Sequence, residues 1–392
     1  MIYMHVDANS AFLSWSSVDA IAKGSEIDYR TIPAVVGGDE AARHGVVLAK
    51  SVPAKAFGIV TGESLMEARR KCAGLVVLPP DFEVYSRYSD AMYEILCAYS
   101  PQIERYSIDE CFLDYTASEK IFGDPVKTAY EIKDRIKNEL GFTVNVGVSD
   151  SKILAKMGSE LKKPDRVHTL WPSEMPEKLW PLPVEDLFMV GRSSAKKLRS
   201  IGIDTIGKLA AADEAMLQMV FKSYGPLMHS YANGKDYGSM SMNHEDVRKG
   251  VGNSITIDHD VADAAEAKVY LLHLCEKVSA RLRAMGAEAS KVSVTIRTSG
   301  FLNYGHQEQS DTFTNTTKDI YVAACRLFDD CWHGEPIRLL GVSTGGLRYA
   351  DEDAQISLFD TPKKAQDLAA DKVMDDIRAK FGKDSIKRGS LI

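Results

Sequence analysis

The chain has 392 residues, which is too long for one ordinary hydrophobic core, so we expect two to four domains. Hydrophobic residues make up 45% of the chain and charged residues 26%, a composition typical of soluble globular proteins. It contains no run of about 18 apolar residues that would cross a membrane, and its first residues lack the basic start of a secretion signal. We therefore expect a cytoplasmic protein without a membrane partner.

The formal net charge of −7 argues against a uniformly basic DNA-binding surface, because DNA binding depends on Lys and Arg side chains that displace counterions. The basic residues are nevertheless clustered, notably at residues 69–71, 152–166 and 192–199, so local basic faces on an acidic protein are expected. The six cysteines show no CxxC pair and no matching histidine spacing, which argues against a zinc site and against disulfides.

The first part of the chain alternates predicted strands and helices. An apolar strand at residues 2–6 ends in Asp7. The elements predicted after it are a helix at 12–23, strands at 34–38 and 46–50, a helix at 64–72, a strand at 75–78, a helix at 83–99, strands on either side of residues 109–110, a helix at 124–140 and a strand at 143–148. This order predicts an α+β sheet that is covered by helices on one face.

A break follows at Pro164, and residues 171–183 are rich in proline and tryptophan. Residues 190–198 and 201–209 then predict a short helical segment bracketed by glycine turns at Gly191 and Gly202. The segment resembles a helix-hairpin-helix, in which a glycine turn lets backbone amides approach a DNA phosphate. An ordinary helical hairpin is the alternative interpretation.

The last part of the chain predicts a separate compact domain. Residues 234–243 carry Gly, Ser and Asn and indicate a linker. The elements predicted after it are a strand at 251–258, a helix at 263–285, strands at 291–298 and 303–312, a helix at 317–332 and a strand at 337–347. This β-α-β-β-α-β order predicts an α+β domain. An acidic tail follows, with an isolated apolar cluster at residues 356–359 and a predicted helix at 363–381.

Three carboxylates stand out because they occur at the ends of apolar strands. Asp109 and Glu110 are adjacent, so their charges repel unless a cation lies beside them, and Asp7 closes the first strand. Mg²⁺ prefers such oxygen ligands, and three carboxylates on neighbouring strand ends predict a two-metal phosphoryl-transfer centre. The alternative is that Asp7 caps the helix that begins near Ser10 and that residues 109–110 form a solvated turn.

Several motifs resemble the Y-family translesion DNA polymerases of the bacterial polymerase IV and V type. The run YSIDECFLD at residues 106–114 differs from the family motif only by Cys111, where alanine is usual. Further matches are VDANSAFLS at 6–14, AKAFGI at 54–59, GVSDSK at 147–152 and Lys163-Pro164. The resemblance extends over nearly the whole chain. The chain departs from the family pattern at Ser10, Ala11, Val52 and Pro53. These departures affect the expected details of nucleotide binding and not the expected phosphoryl-transfer chemistry.

The resemblance implies a multidomain α+β polymerase shaped like a right hand. Its expected parts are a palm at residues 1–165 with small fingers inserted at about 24–74, a helix-hairpin-helix thumb at 166–233, a linker at 234–243, a little finger at 244–349 and a tail at 350–392. The implied function is template-directed, low-fidelity addition of deoxynucleotides to a primer 3′ end past damaged bases. Two other interpretations stay open: a catalytically inactive clamp-binding adaptor and a palm-fold nucleotide cyclase.

The resemblance also implies roles for individual residues. Asp7, Asp109 and Glu110 would be catalytic and would hold two Mg²⁺ ions, with the Ala8 carbonyl completing a coordination sphere. The implied binding residues are Phe12, Lys55 and Lys163 for the nucleotide, Gly191, Gly202, Lys152, Lys156, Lys196 and Lys197 for DNA, and Gln355, Ser357, Leu358 and Phe359 for the sliding clamp. The expected partners are primer-template DNA, deoxynucleoside triphosphates and the clamp, and the expected state is a monomer.

Overall fold

The structure is a computed structural model that describes residues 1–40, 43, 45–236, 248–349, 362–382 and 385–389, with the backbone alone at 362–365. Most of the predicted linker and all of the predicted clamp peptide lie outside the described residues. The chain divides into two compact units, Met1–Gly38 with Gly45–His244, and Asp39–His44 with Glu245–Ile392. In the described part of the chain, no helix is both long and apolar enough to span a bilayer.

The first unit contains two sheets. Its strands are β1 (Tyr3–Ala8), β2 (Ala34–Gly37), β3 (Val47–Lys50), β4 (Val76–Leu78), β5 (Ile103–Arg105), β6 (Glu110–Asp114), β7 (Val144–Ser149) and β8 (Val167–Thr169). The larger sheet has the order β5-β6-β1-β7-β8, and β1 is antiparallel to both of its neighbours. The register places Asp7 opposite Glu110 on one side and opposite Asn145 on the other. Because directly opposed residues share a face of a sheet, these three side chains lie together.

The helices of the first unit cover both faces of this sheet. They are α1 (Ala11–Ala22), α2 (Val52–Ala56), α3 (Leu65–Lys71), α4 (Phe82–Cys97), α5 (Glu119–Phe122), α6 (Pro125–Leu140), α7 (Lys152–Glu160), α8 (Met175–Lys178), α9 (Arg192–Ser200), α10 (Ile206–Ala210), α11 (Glu214–Phe221) and α12 (Tyr224–Ala232). Helices α1, α4 and α6 bury the apolar face of β1, where Met4 and Val6 pack with Trp15, Tyr85 and Ile132. The opposite face, with its carboxylates, lies against α7.

Helix α7 was not predicted from the sequence, although its signals are present. Ser151 caps its first turn by accepting a hydrogen bond from the amide of Leu154. Leu154 and Met157 pack into a second core, which includes Leu198 and Leu209 of the following helices. Helix α7 therefore joins the sheet to the helical region at its carboxylate face.

The smaller sheet has the order β3-β2-β4, with β2 antiparallel to β3 and parallel to β4. Its core contains Val35, Val47, Leu65 and Ala68, so α3 packs against it. Strand β4 of this sheet lies just beyond the segment predicted as inserted fingers, about residues 24–74. Strand β8 pairs with β7 in the larger sheet, and it lies within the segment predicted as the thumb, residues 166–233.

The second unit confirms the predicted β-α-β-β-α-β order. Its elements are β9 (Gly250–Val261), α13 (Ala264–Ala284), β10 (Ala287–Thr298), β11 (Asn303–Thr314), α14 (Thr317–Cys331), β12 (Ile337–Tyr349) and α15 (Pro362–Phe381). The strands form an antiparallel sheet in the order β11-β10-β12-β9. Leu271 and Cys275 of α13 and Phe328 of α14 share a core with Val294 and Val342 of the sheet. The predicted fold class is therefore confirmed.

Gly147 is the residue that lets α7 approach the sheet. A Cβ atom at this position would collide with the carbonyl oxygen of Ala155 and would lie 2.5 Å from the amide nitrogen of Ser159. We predict that Gly147→Ala lowers the free energy of unfolding by about 3 kcal/mol, because α7 must move away from β7. The measurement is urea unfolding of the whole chain.

Gly74→Ala is the matched control, because a Cβ atom at Gly74 meets no other atom within 4 Å. It should change the free energy of unfolding by less than about 0.5 kcal/mol. Equal stability of the two variants would show that α7 does not depend on this contact.

Candidate active site

Asp7 lies inside β1 on the face that α7 covers, and its side chain is only 8% exposed. The ammonium group of Lys163 lies 3.0 Å from its Oδ1 atom. Burial nevertheless raises the pKa of Asp7 to about 7, because the loss of hydration outweighs the attraction of Lys163. Ser10 occupies the N-cap position of the helix that follows, so Asp7 is not its N-cap. This excludes the simple capping interpretation.

Glu110 begins β6 directly opposite Asp7. Its Oε2 atom accepts a hydrogen bond of 2.8 Å from Nζ of Lys156, and Nε2 of His5 lies 3.6 Å away. Burial opposes ionisation of Glu110, but His5 and Lys156 together hold its pKa at about 2. Glu110 therefore carries a negative charge at neutral pH, as a metal ligand must, and does not belong to a solvated turn.

Glu160, at the end of α7, is a third carboxylate of the site and was not predicted. Single ligand oxygens of Asp7, Glu110 and Glu160 all lie within 4.8 Å of one another. Lys163 is shared between two of these groups, since its Nζ is 3.0 Å from Asp7 and 3.0 Å from Glu160. Once α7 is recognised as a helix, the spacing of four residues between Lys156 and Glu160 places them on one side of it.

Asp109 lies beside this group and is not one of its three members. Its carbonyl oxygen accepts a hydrogen bond of 3.0 Å from the amide of Ala8, which fixes its backbone next to β1. Its carboxylate accepts a hydrogen bond of 2.7 Å from the hydroxyl of Ser107. The backbones of Asp7, Asp109 and Glu110 are thus adjacent. The side-chain carboxylates that lie together, however, are those of Asp7, Glu110 and Glu160.

Two buried asparagines hold the segment that carries Lys163. Asn145 donates hydrogen bonds to the carbonyl groups of Ser159 (2.9 Å) and Lys162 (2.8 Å). Asn9 accepts a hydrogen bond of 2.9 Å from the amide of Asp165. Both asparagines stand next to Asp7 on strand ends, so the sheet itself positions the segment between α7 and β8. Sequence reasoning missed them, because asparagine at a strand end indicates a turn as readily as an anchor.

Lys152 and Lys156, which were predicted to bind DNA, are both paired with carboxylates. Lys152 is 15% exposed and lies 2.6 Å from Glu104, and Lys156 is 8% exposed. Both side chains point from α7 toward carboxylates of the sheet, so their charges are neutralised inside the first unit. Lys196 and Lys197 of α9 are exposed, as predicted.

The predicted nucleotide-binding residues lie on three different elements. Phe12 is partly buried on α1, and its ring stacks on Tyr85 at a centroid distance of 4.5 Å. Lys55 is exposed on α2, and Lys163 is 33% exposed beside Asp7. The unusual Pro53 occupies the first turn of α2, where proline is favoured because the amide there lacks a helical partner.

The two predicted hairpin glycines differ in backbone conformation. Gly202, between α9 and α10, has φ of +86°, which glycine adopts without strain. Gly191 caps α9 with φ of −77°, which any residue adopts. No atom lies within 4 Å of a Cβ at either position, so the backbone is open on that side. The predicted segment therefore contains two short helices, α9 and α10, joined by a turn at Gly202.

The donor set fits a divalent cation. Oxygen atoms of three carboxylates lie close together. Burial raises the pKa of Asp7, and the positive charge of Lys163 is not enough to bring that pKa back to its usual value. A second positive charge would favour its ionisation. The residues present therefore agree with metal binding. Asp7 and Glu110 would supply two ligands, and Glu160 and Asp109 are the two candidates for the third.

Sequence comparison with known families matches three parts of the chain. Residues 6–160 match the impB/mucB/samB family, residues 172–203 match the IMS family HHH motif, and residues 248–358 match the impB/mucB/samB family C-terminal domain. Two curated relatives, both named DNA polymerase IV, align along the whole chain. The one from Clostridium acetobutylicum is 46% identical and covers 100% of this chain and 98% of the relative. The one from Acetivibrio thermocellus is 36% identical and covers 100% and 97%.

Solved structures show the same fold. A Y-family DNA polymerase chimera matches with a TM-score of 0.76 at 20% sequence identity, covering 89% of this chain and 100% of the chimera. DinB from Sulfolobus solfataricus matches with a TM-score of 0.56 at 21% identity, covering 88% and 98%. The family matches, the full-length relatives and the fold agree, and the chain therefore belongs to the impB/mucB/samB family, the Y-family of DNA polymerases.

Proposed function

We propose that the face of the sheet below α7 is the centre at which this chain adds deoxynucleotides to a primer 3′ end. The chain is a DNA-directed DNA polymerase that performs translesion synthesis, and its substrates are a DNA template and deoxynucleoside triphosphates. The observation that carries the assignment of the site is the register of β1 and β6, which sets Asp7 opposite Glu110. The adaptor interpretation has no support among the relatives, and the cyclase interpretation does not account for the thumb and little finger.

In this proposal Asp7, Asp109 and Glu110 hold two Mg²⁺ ions. When bound, the ions would lower the pKa of the primer hydroxyl and neutralise the departing pyrophosphate. Glu110 is already ionised and held on one side by Lys156. In the free protein Lys163 lies beside Asp7 and Glu160. When the nucleotide binds, Lys163 would move away from Asp7 and, together with Lys55, would contact the triphosphate as a point charge.

The proposed contacts with the sugar, the DNA backbone and the base pair are based on the positions of the side chains. Phe12, supported by Tyr85, would exclude a ribose 2′-hydroxyl. The open amides near Gly191 and Gly202, with Lys196 and Lys197, would contact DNA phosphates without reading sequence. The protein would act as a monomer. A small fingers region built on short strands would contact the base pair sparsely, which would weaken discrimination against distorted pairs.

Replacing a carboxylate of the site tests the chemistry. We predict that Asp7→Ala or Asp109→Ala lowers the rate of primer extension by about 10³-fold or more, because the charge of the transition state is no longer neutralised. Glu110→Ala should be severe but less complete. Primer-template affinity, measured by fluorescence anisotropy, should stay nearly unchanged because the thumb phosphate contacts remain. Normal extension by either aspartate variant would disprove the assignment.

The ring of Phe12 is tested by sugar selection. Phe12→Ala should raise the ratio of ribonucleotide to deoxynucleotide insertion by roughly 10- to 100-fold, because it opens space beside the sugar. Phe82→Ala is the control, since Phe82 belongs to the same aromatic cluster at a centroid distance of 5.9 Å from Phe12. If both variants gave the same ratio, Phe12 would serve only to pack α1 on α4.

Removal of metal should reveal a cost of burying Asp7. Its pKa is 3.8 when exposed and about 7 in the fold, so the contribution of Asp7 to stability is fully present below pH 3.8 and is lost as pH rises toward 7. Asp7→Asn should therefore raise the free energy of unfolding at pH 8 in chelator by roughly 1 to 3 kcal/mol. Asp109→Asn is the control and should give a smaller change. Destabilisation by Asp7→Asn would contradict this account.

We also propose that residues 355–359, which lie outside the described residues, dock on a sliding clamp. Leu358 and Phe359 would fill an apolar pocket and Gln355 would provide a polar anchor, so the tether would raise the local concentration of the enzyme at primer ends. Leu358→Ala combined with Phe359→Ala should abolish stimulation of extension by the clamp and leave single-nucleotide insertion without the clamp unchanged. Full stimulation of the double variant would place the docking site elsewhere.

A further inference from the structure

Lys156 is a buried positive charge with one acidic partner. Its side chain is 8% exposed, and its Nζ atom lies 5.4 Å and 5.0 Å from the ring centroids of Tyr106 and Phe188. Burying an ammonium group is costly unless it is paired and hydrogen-bonded. Its hydrogen bond of 2.8 Å goes to Oε2 of Glu110 and to no other carboxylate among the described residues. The charge is therefore placed for Glu110.

The ring of His5 lies beside the same oxygen of Glu110 but does not form a hydrogen bond with it. His5 is fully buried, its Nδ1 atom lies 2.7 Å from the hydroxyl of Ser159, and its Nε2 atom lies 3.6 Å from Oε2 of Glu110. The Ser159 hydroxyl donates a hydrogen bond of 2.8 Å to the carbonyl oxygen of Lys156, so it accepts from Nδ1–H of His5, and Nε2 of His5 forms no hydrogen bond among the described residues. Among the described residues, Lys156 is therefore the one hydrogen-bond donor to Oε2. In the described part of the chain, Oε1 of Glu110 has no hydrogen bond.

We propose that Lys156 is a positioning residue that holds Oε2 of Glu110 and leaves Oε1 for a divalent cation. A carboxylate that rotates freely offers a cation both oxygens, whereas a carboxylate held on one side offers a single oxygen in a fixed direction. Lys156 also repels a cation that binds close to it. Lys156 therefore weakens cation binding and at the same time fixes the orientation of Glu110. This inference rests on the proposed function.

The test uses Lys156→Met, which removes the charge and the donor and keeps most of the side-chain volume. Binding of Mn²⁺ to the full chain without DNA or nucleotide, measured by electron paramagnetic resonance, should become tighter by roughly 3- to 10-fold. The turnover number for single-nucleotide insertion at saturating Mn²⁺ should fall at least about tenfold, with KM for the nucleotide changed less than about twofold. A lysine with only a structural role would not combine tighter metal binding with slower turnover.

Lys152→Met is the matched control, because Lys152 is one turn earlier on α7 and pairs with Glu104, outside the carboxylate group. Its Mn²⁺ affinity should equal that of the wild type. Lys156→Arg, which keeps the positive charge and a donor, provides an independent variant, and its Mn²⁺ affinity should stay close to that of the wild type. Unchanged or weaker Mn²⁺ binding by Lys156→Met would overturn the positioning role. Failure of the wild type to bind Mn²⁺ would instead disprove the proposed metal centre.

Discussion

The first unit depends on a balance of charge between two neighbouring strands. The register of β1 and β6 forces the carboxylates of Asp7 and Glu110 onto the same face, where they repel each other. Positive charge must reach this face from outside the sheet, and it comes from Lys156 on α7 and Lys163 on the segment after it. The packing of α7 is therefore part of the electrostatics of the site as well as part of the core.

The two lysines differ in how firmly they are held. Lys156 is enclosed by aromatic rings and paired with one oxygen, whereas Lys163 is 33% exposed and shared between Asp7 and Glu160. A fixed charge suits a residue that orients Glu110. An exposed and shared charge suits a residue that exchanges one anionic partner for another, as the proposed transfer of Lys163 from Asp7 to a triphosphate requires. The raised pKa of Asp7 indicates that one lysine alone does not compensate its burial.

Much of the fold was predictable, because its elements carry strong local signals. The β-α-β-β-α-β order of the second unit follows from clear alternation of strand and helix patterns, and the position of Asp7 and Glu110 follows from acids that lie next to two apolar strand segments. The environment of the lysines was not predictable, since a lysine on an isolated helix is normally solvated. Helix α7 was missed as an element, and with it the burial of Lys152 and Lys156 and the approach of Glu160. Residues distant in sequence, such as His5 and Ser159, meet only through the tertiary fold.

The central claim is that the face shared by Asp7 and Glu110 holds two catalytic cations. Crystals of the protein with primer-template DNA, a non-reactive deoxynucleotide analogue and Mn²⁺ would test it most directly, because the anomalous scattering of manganese locates each ion. The account predicts two peaks about 3.5 to 4 Å apart, ligated by Asp7, Asp109 and Glu110, with Lys163 on the triphosphate. Peaks absent from Asp7 and Glu110, or a single ion held by Asp7, Glu110 and Glu160 with Asp109 unbound, would contradict it.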